Sequence, residues 1–298
     1  MKKILITLIT GATLANTAFA QQKLDVEGHR GGMALMPENT ISSMLNGVKT
    51  GVRTLELDLV ISADGKVVVS HDPYMSARIM RKPDGSDITT EEEKGLAMYK
   101  MTYDSIRKYD AGSKPNPQFP DQPRFKTYKP LLSDLIDSVE AYVKKNKLKP
   151  VYYNIETKST PAGDDIYNPK PDVFVETMMA VINKKKISKR VIIQSFDIRT
   201  LQVLHKTDPK IKLSLLVGKI SVDDDVKKLG FTPDIYSPYY TFVDKDVVKK
   251  VHDYKMFLLP WTVDQEKDMT ALADMGVDGI ISNYPDKLVK LFGSYQTK

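Results

Sequence analysis

The 298-residue chain has no cysteine, which excludes a disulfide framework, a thiolate metal site, a cysteine nucleophile and a cysteine-linked lipid anchor. Its formal charge of +6 comes with lysines scattered through helical stretches such as 143–149 and 182–190, the pattern of solvated helix faces rather than of a nucleic-acid surface. A mild positive field of this kind suits an anionic small substrate.

The N-terminus reads as a targeting segment. Met1-Lys2-Lys3 is basic, 4–14 is mostly apolar, and Ala18-Phe19-Ala20 fits a small-x-small cleavage site. This predicts a secretory signal peptide removed after Ala20, hence an exported protein, periplasmic or secreted. The apolar core falls short of the roughly 20 residues a spanning helix needs, and no later stretch qualifies, so no stable membrane insertion is expected. Losing Lys2 and Lys3 takes the charge from +6 to +4 and leaves 278 residues. That length suits one α/β barrel domain over 21–298, since such barrels run to about 250 residues.

Leu24 to His29 alternates as a short strand and runs into the polar cluster His29-Arg30-Gly31-Gly32. After Pro37-Glu38-Asn39-Thr40, the residues Ile41, Met44, Leu45 and Val48 have helical spacing, with Asn39 or Thr40 as N-cap. Thr54 to Ile61 is a second strand carrying Glu56 and Asp58 on one face. The dipeptide Asp64-Gly65 predicts a hairpin turn, with Val67 to Val69 as the return arm and His71 arriving roughly opposite Asp58. The segment 73–130 breaks the rhythm, with charge, tyrosine, four prolines between 113 and 123 and one weak helix near Ser105. A long irregular stretch in a compact domain reads as a lid over a site more readily than as a loose surface insertion.

From Leu131 the rhythm resumes. Helices are expected at 131–146, 172–185, from Ile198, near Asp223, from Lys245, from Lys267 and from Pro285. Strands are expected at 151–156, 191–195, 212–217, 234–239, 256–263 and 277–282. Discounting the hairpin arm, eight β runs are each followed by a helix, directly or after the insertion. Strict alternation of this kind predicts a (β/α)8 TIM barrel. The competing open doubly wound sheet lacks a G-x-G-x-x-G loop after its first strand.

Function in a barrel sits at the C-terminal ends of the strands. Those ends carry His29-Arg30, then Glu56 and Asp58 with His71 from the hairpin, Glu156 and Lys158, Gln194-Ser195-Phe196, Trp261, and Ser282-Asn283. Three converging carboxylates, Glu56, Asp58 and Glu156, suggest an oxygen-ligated divalent cation, Ca²⁺ or Mg²⁺. Like charges on one strand face repel unless a cation lies between them. A lone histidine at a strand end is more often structural, but His29 and His71 both fall beside these carboxylates and suggest an acid/base pair. Arg30 and Lys158 suit a phosphate. Trp261 at a strand end suits the wall of a small alcohol site. His205 and His252 lie in expected helices. Together these residues describe metal-assisted phosphodiester cleavage.

The ordered motifs His29-Arg30-Gly31, Pro37-Glu38-Asn39-Thr40, Glu56-Leu57-Asp58, Asp64-Gly65, His71-Asp72, Glu156-Thr157-Lys158, Gln194-Ser195-Phe196, Trp261-Thr262-Val263 and Gly276-Val277-Asp278-Gly279 resemble the glycerophosphodiester phosphodiesterases. The resemblance spans nearly all of 21–298. It implies a TIM barrel with an insertion after the His-Asp motif, matching 73–130. It implies a divalent cation on Glu56, Asp58 and Glu156, His29 and His71 as acid and base, and phosphate contacts from Arg30 and Lys158. Glu38 and Asn39 match positions that organise the site. Asn283 stands where the family often has Asp, and the insertion is poorly matched. The expected reaction is hydrolysis of glycerophosphodiesters to an alcohol and sn-glycerol 3-phosphate. Two other readings remain: a phospholipase on the same barrel, which needs an exposed apolar rim, and a non-catalytic binding protein, against which the complete set of site residues speaks.

Overall fold

The computed structural model describes residues 24–296, and the signal peptide expected over 1–20 lies outside them. The barrel strands are β1 (Asp25–Gly28), β2 (Thr54–Ile61), β3 (Tyr152–Thr157), β4 (Val191–Ser195), β5 (Lys212–Val217), β6 (Ile235–Pro238), β7 (Phe257–Leu258) and β8 (Gly279–Ser282). They run parallel in the order β7-β6-β5-β4-β3-β2-β1-β8. Three backbone bonds close the ring beside β7: Asp278 N to Leu258 O at 3.0 Å, Ile281 N to Pro260 O at 3.1 Å, and Val263 N to Ile281 O at 3.0 Å. The fold is a (β/α)8 TIM barrel.

Outside it lie α1 (Ile41–Thr50), α2 (Leu132–Lys145), α3 (Pro171–Lys185), α4 (Ile198–Thr207), α5 (Val222–Leu229), α6 (Lys245–Asp253), α7 (Glu266–Met275) and α8 (Pro285–Phe292). On α2 the residues at helical spacing, Leu132, Leu135, Ile136, Val139 and Val143, are the buried ones. They join the main core with Leu55, Leu57 and Leu59 of β2. That strand is buried over its whole length. Its leucines face the helices, so alternation turns Glu56 and Asp58 into the barrel. The ladder to β3 then sets Asp58 beside Glu156.

Thr40, not Asn39, caps α1. Its hydroxyl accepts from Ser43 N at 3.1 Å, and Ser43 Oγ accepts from Thr40 N at 3.3 Å. Replacing Thr40 with alanine is expected to cost about 1 kcal/mol of folding stability, read from the denaturant midpoint. An unchanged midpoint would show that the cap is redundant here.

The hairpin register differs from the expectation by one residue. Val69 pairs with Leu59 and Val67 with Ile61, and Ser70 N donates to Asp58 O at 3.0 Å, so Ser70 rather than His71 lies opposite Asp58. The loop has three residues, not two: Ser62 N donates to Lys66 O at 3.0 Å, and Gly65 takes the left-handed φ of 68° that completes such a loop. The arm Val67–Val69 pairs antiparallel with β2 and, through Val68, bridges Leu131, off the path of the barrel strands, so it is not a ninth barrel strand.

The insertion is packed rather than loose. Met75, Ile79, Met80, Ile88, Met98 and Ile106 form a second core against Val60 and Val68 of the hairpin. A short helix covers Tyr103–Ile106, as expected near Ser105, and another covers Thr90–Glu93. Polar ties fasten the segment to the loop after β1, among them Lys129 Nζ donating to Glu38 O at 3.0 Å and Gln122 Nε2 donating to Met33 O at 2.5 Å and Met36 O at 3.0 Å.

Candidate active site

β1 ends in a tight turn, His29–Gly31, in which Arg30 has a left-handed φ of 51°. Asn39 is also left-handed, with φ 56°. Such backbone is costly for a residue with a Cβ and persists only where surrounding contacts impose it. Here both residues are held by the β2 carboxylates. Arg30 N donates to Glu56 Oε2 at 2.7 Å. Asn39 Nδ2 donates to Asp58 Oδ2 at 2.8 Å, and Asp58 N donates back to Asn39 Oδ1 at 3.2 Å. The Arg30 side chain donates to Glu38 Oε1 at 2.9 Å, and its Nε lies 3.5 Å from Asp58 Oδ2.

Ligand atoms of Glu56, Asp58 and Glu156 lie within 4.8 Å of one another, and all three residues are buried. Asp58 Oδ1 has no hydrogen-bond partner. Lys158 Nζ leans in at 2.8 Å from Glu156 Oε1 and 3.9 Å from Asp58 Oδ1. Burial pushes Glu56 well up from the usual carboxylate range, and the Asp58 charge pushes it further. Burial would also raise Asp58, but His71, Arg30 and Lys158 outweigh it and hold that group well below the range. Glu156 is raised by burial, against the pull of Lys158. A buried carboxylate cluster with an orphaned oxygen and a lysine turned onto it has the donor set of a hard divalent cation.

Both histidines stand at the rim. His29 Nδ1 lies 2.5 Å from Asn283 Oδ1, while Asn283 Nδ2 donates to Asp264 Oδ2 at 2.7 Å. The amide oxygen therefore faces His29, so Nδ1 carries the hydrogen and Nε2 is left as an acceptor. Burial, reinforced by the Arg30 charge, holds His29 down to about 3, so the ring is neutral near pH 7. His71 Nδ1 lies 3.0 Å from Asp72 Oδ1. The carboxylate selects which ring nitrogen carries hydrogen and offers a counter-charge when the ring is protonated.

The two rings separate the halves of one cleft. The inner half, about 290 Å³, is lined by Glu56, Glu156, Lys158, Phe196, Leu216 and Trp261. The outer half, about 530 Å³, is lined by Asp72, Arg78 and Gln118 from the insertion side and by Tyr239, Tyr240 and Asp264 from the barrel. His29, Arg30, His71 and Thr262 line both. Trp261 donates its indole N–H to Ser237 O at 2.9 Å and packs edge-on to Phe196 at 5.4 Å, so it serves as wall rather than donor. Glu38 lies behind Arg30 and also accepts from Arg78 Nη2 at 3.1 Å. Burial would raise its carboxyl, but Arg30, Lys129 and Arg78 outweigh it and hold it down to about 2.

The structure thus gathers every expected site residue: His29, Arg30, Glu38, Asn39, Glu56, Asp58, His71, Glu156, Lys158 and Trp261. His205 stacks on Phe231 and His252 pairs with Asp278, both away from the cleft. Sequence reasoning gave Asn283 no role, although it sets the His29 tautomer. It also missed Asp264, Arg78 and Lys129, which nothing in their sequence surroundings marks. Gln194 stands in the sequence as a strand-end residue and in the Gln194-Ser195-Phe196 motif without a role, and it donates to Glu56 Oε1 at 2.9 Å.

Comparison with known proteins is consistent along the chain. Residues 29–287 match the glycerophosphoryl diester phosphodiesterase family. A glycerophosphodiester phosphodiesterase of Bacillus subtilis (strain 168) is 30% identical over 308 aligned residues, covering 98% of this chain and 94% of its own. One from Caldanaerobacter subterraneus is 29% identical, covering 89% of this chain and 96% of its own. Among solved structures, a Silicibacter pomeroyi DSS-3 protein named for the same family superposes with a TM-score of 0.80 at 28% identity, covering 91% of this chain and 93% of its own. An Oleispira antarctica phosphodiesterase, solved with its product sn-glycerol-3-phosphate, has the same fold with a TM-score of 0.72 at 21% identity, over 91% of this chain and 98% of its own.

Proposed function

The chain belongs to the glycerophosphoryl diester phosphodiesterase family, and from that premise we propose that it cleaves glycerophosphodiesters to an alcohol and sn-glycerol 3-phosphate with a divalent cation and two histidines. The observation that carries this reading is the placement of His29 and His71 across one cleft from the Glu56, Asp58 and Glu156 cluster. Glu56, Asp58 and Glu156 would hold the cation, which would supply charge neutralisation at the phosphate and a fixed point for orienting the substrate.

The protein's own groups do the rest. Arg30 and Lys158 remain cationic and hold the phosphate between them. His29, neutral and with Nε2 free to accept, takes the proton of the attacking hydroxyl. His71, backed by Asp72, gives its proton to the leaving oxygen. The attacking hydroxyl belongs to water or to the substrate's glycerol. In the second route these two transfers expel the alcohol and leave a cyclic phosphate, which water then opens to glycerol 3-phosphate, His71 taking the water's proton and His29 returning one to the glycerol oxygen. The inner half of the cleft receives the glycerol phosphate, its carbons against Phe196, Leu216 and Trp261. The outer half receives the leaving alcohol under the insertion, which acts as its cover. The product held by the Oleispira antarctica relative supports this choice of substrate.

One observation favours a second reading. Phe196 and Tyr239 are exposed on either side of Trp261, and exposed Phe242 packs against Tyr239, an apolar rim that a lipid-surface enzyme would use. A single assay separates the two. Glycerol 3-phosphate release from deacylated diesters of several head groups, with Mg²⁺ or Ca²⁺, is expected to exceed any cleavage of intact phospholipid in liposomes. The reverse order would replace the proposal with a phospholipase.

A further inference from the structure

Barrel interiors are normally filled by layers of branched apolar side chains. This one holds a polar chain beside a smaller apolar cluster of Ile192, Ile235, Leu259 and Ile281. Gln194 Nε2 on β4 donates to Glu56 Oε1 at 2.9 Å. Asn154 Nδ2 on β3 donates both of its hydrogens, one to Gln194 Oε1 at 3.2 Å and one to Glu27 Oε2 on β1 at 2.8 Å. All four residues are almost wholly buried. Burying such groups costs free energy that an apolar layer of the same volume does not, so this arrangement is a poor way to stabilise a core.

The chain has a definite polarity. Carboxylates at both ends accept, so both amides between them are locked. Glu27 calls for a donor, which turns the Asn154 amino group toward it. The second hydrogen of that group then fixes the Gln194 amide with its oxygen toward Asn154 and its amino group toward Glu56. Turned the other way, Gln194 would face the Glu56 carboxylate with its own oxygen, and the two would repel. Glu56 Oε2 is already tied to Arg30 N at 2.7 Å, so the Gln194 bond on Oε1 sets the remaining freedom of the carboxylate.

We propose that Asn154 and Glu27 are positioning residues for the cation cluster, acting on Glu56 through Gln194. This rests on the reading that Glu56, Asp58 and Glu156 hold a cation. Groups that orient a metal ligand typically carry a tenfold to hundredfold share of the affinity. Asn154 lies beside Glu56 across the β2–β3 ladder but neither it nor Glu27 makes a side-chain hydrogen bond to that carboxylate, so the hydrogen-bonded route to Glu56 runs through Gln194.

Calorimetric titration of Mg²⁺ and Ca²⁺ into the full-length chain reads the effect without reference to turnover. Gln194→Met is expected to weaken binding by roughly tenfold to a hundredfold. Asn154→Leu should weaken it comparably, and adding it to Gln194→Met should cost nothing more, because the path is already cut. Glu27→Gln keeps an acceptor for Asn154 and should bind like the parent, whereas Glu27→Leu should not. Far-ultraviolet circular dichroism in chelator confirms that each variant is folded, and the Glu27 pair stands in if Asn154→Leu is not. Additive losses, parental affinity in Asn154→Leu, or equal behaviour of the two Glu27 variants would overturn the relay. A parent protein that takes up no cation would overturn instead the metal reading beneath it.

Discussion

Alanine at His29 or His71 is expected to lower kcat by roughly 10²–10⁴-fold, the usual share of a positioned acid or base, while the protein stays folded. Neither ring belongs to the main core, and each is fixed by one side-chain partner at the rim, Asn283 for His29 and Asp72 for His71. Their loss therefore removes proton transfer more than packing. The two variants should also differ from each other. With a p-nitrophenyl leaving group, whose departure needs no acid, His71→Ala should recover most of its turnover. His29→Ala should not, because the attacking hydroxyl still has to be deprotonated. Turnover near the parent level in both variants on the natural diester would sink the two-histidine scheme. Rescue of His29→Ala instead of His71→Ala would exchange the two roles.

Removal of the cation should cost as much or more. Charge stabilisation by a bound cation is worth several kcal/mol in the transition state, on the order of 10³-fold in rate. Activity is therefore expected to vanish in chelator and to return on adding Mg²⁺ or Ca²⁺. Asp58→Asn should mimic the chelated state even with the metal in excess. Asp58 is the natural choice because its Oδ1 accepts no hydrogen bond, whereas both oxygens of Glu56 already do. The cation should also raise the melting temperature of the parent, since it binds the native cluster and relieves the repulsion among three buried carboxylates. Asp58→Asn should show a much smaller rise. Activity indifferent to chelator would refute the metal, whatever the geometry of the cluster.

Much of this was legible along the chain because it is written locally. Apolar spacing within a dozen residues gave α2 its buried face, and strands β4 and β5 begin and end where alternation and turn residues place them. A strand's period of two put Glu56 and Asp58 on one face whatever lay around them. The rule that strand ends carry function then collected His29, Glu156 and Lys158 into one set. The hairpin was a nearer miss. Asp64-Gly65 marks a turn, but whether the loop counts two residues or three depends on how Gly65 meets Ser62 and Lys66, and that single count shifts the register of His71.

The sequence by itself determined the barrel, the two histidines and the three carboxylates, because periodicity, turn chemistry and strand ends are properties of neighbouring residues. Only the tertiary structure decided how those groups are tuned. His29 owes its tautomer to Asn283, 254 positions away, and Glu38 is covered by Lys129, 91 positions away. Glu56 is tied to a chain of two amides from two other strands, Gln194 and Asn154, that ends on Glu27 of a third. Such partners meet only when the barrel closes. A hydrogen bond also depends on distance and direction to within fractions of an ångström, which no spacing along a chain records.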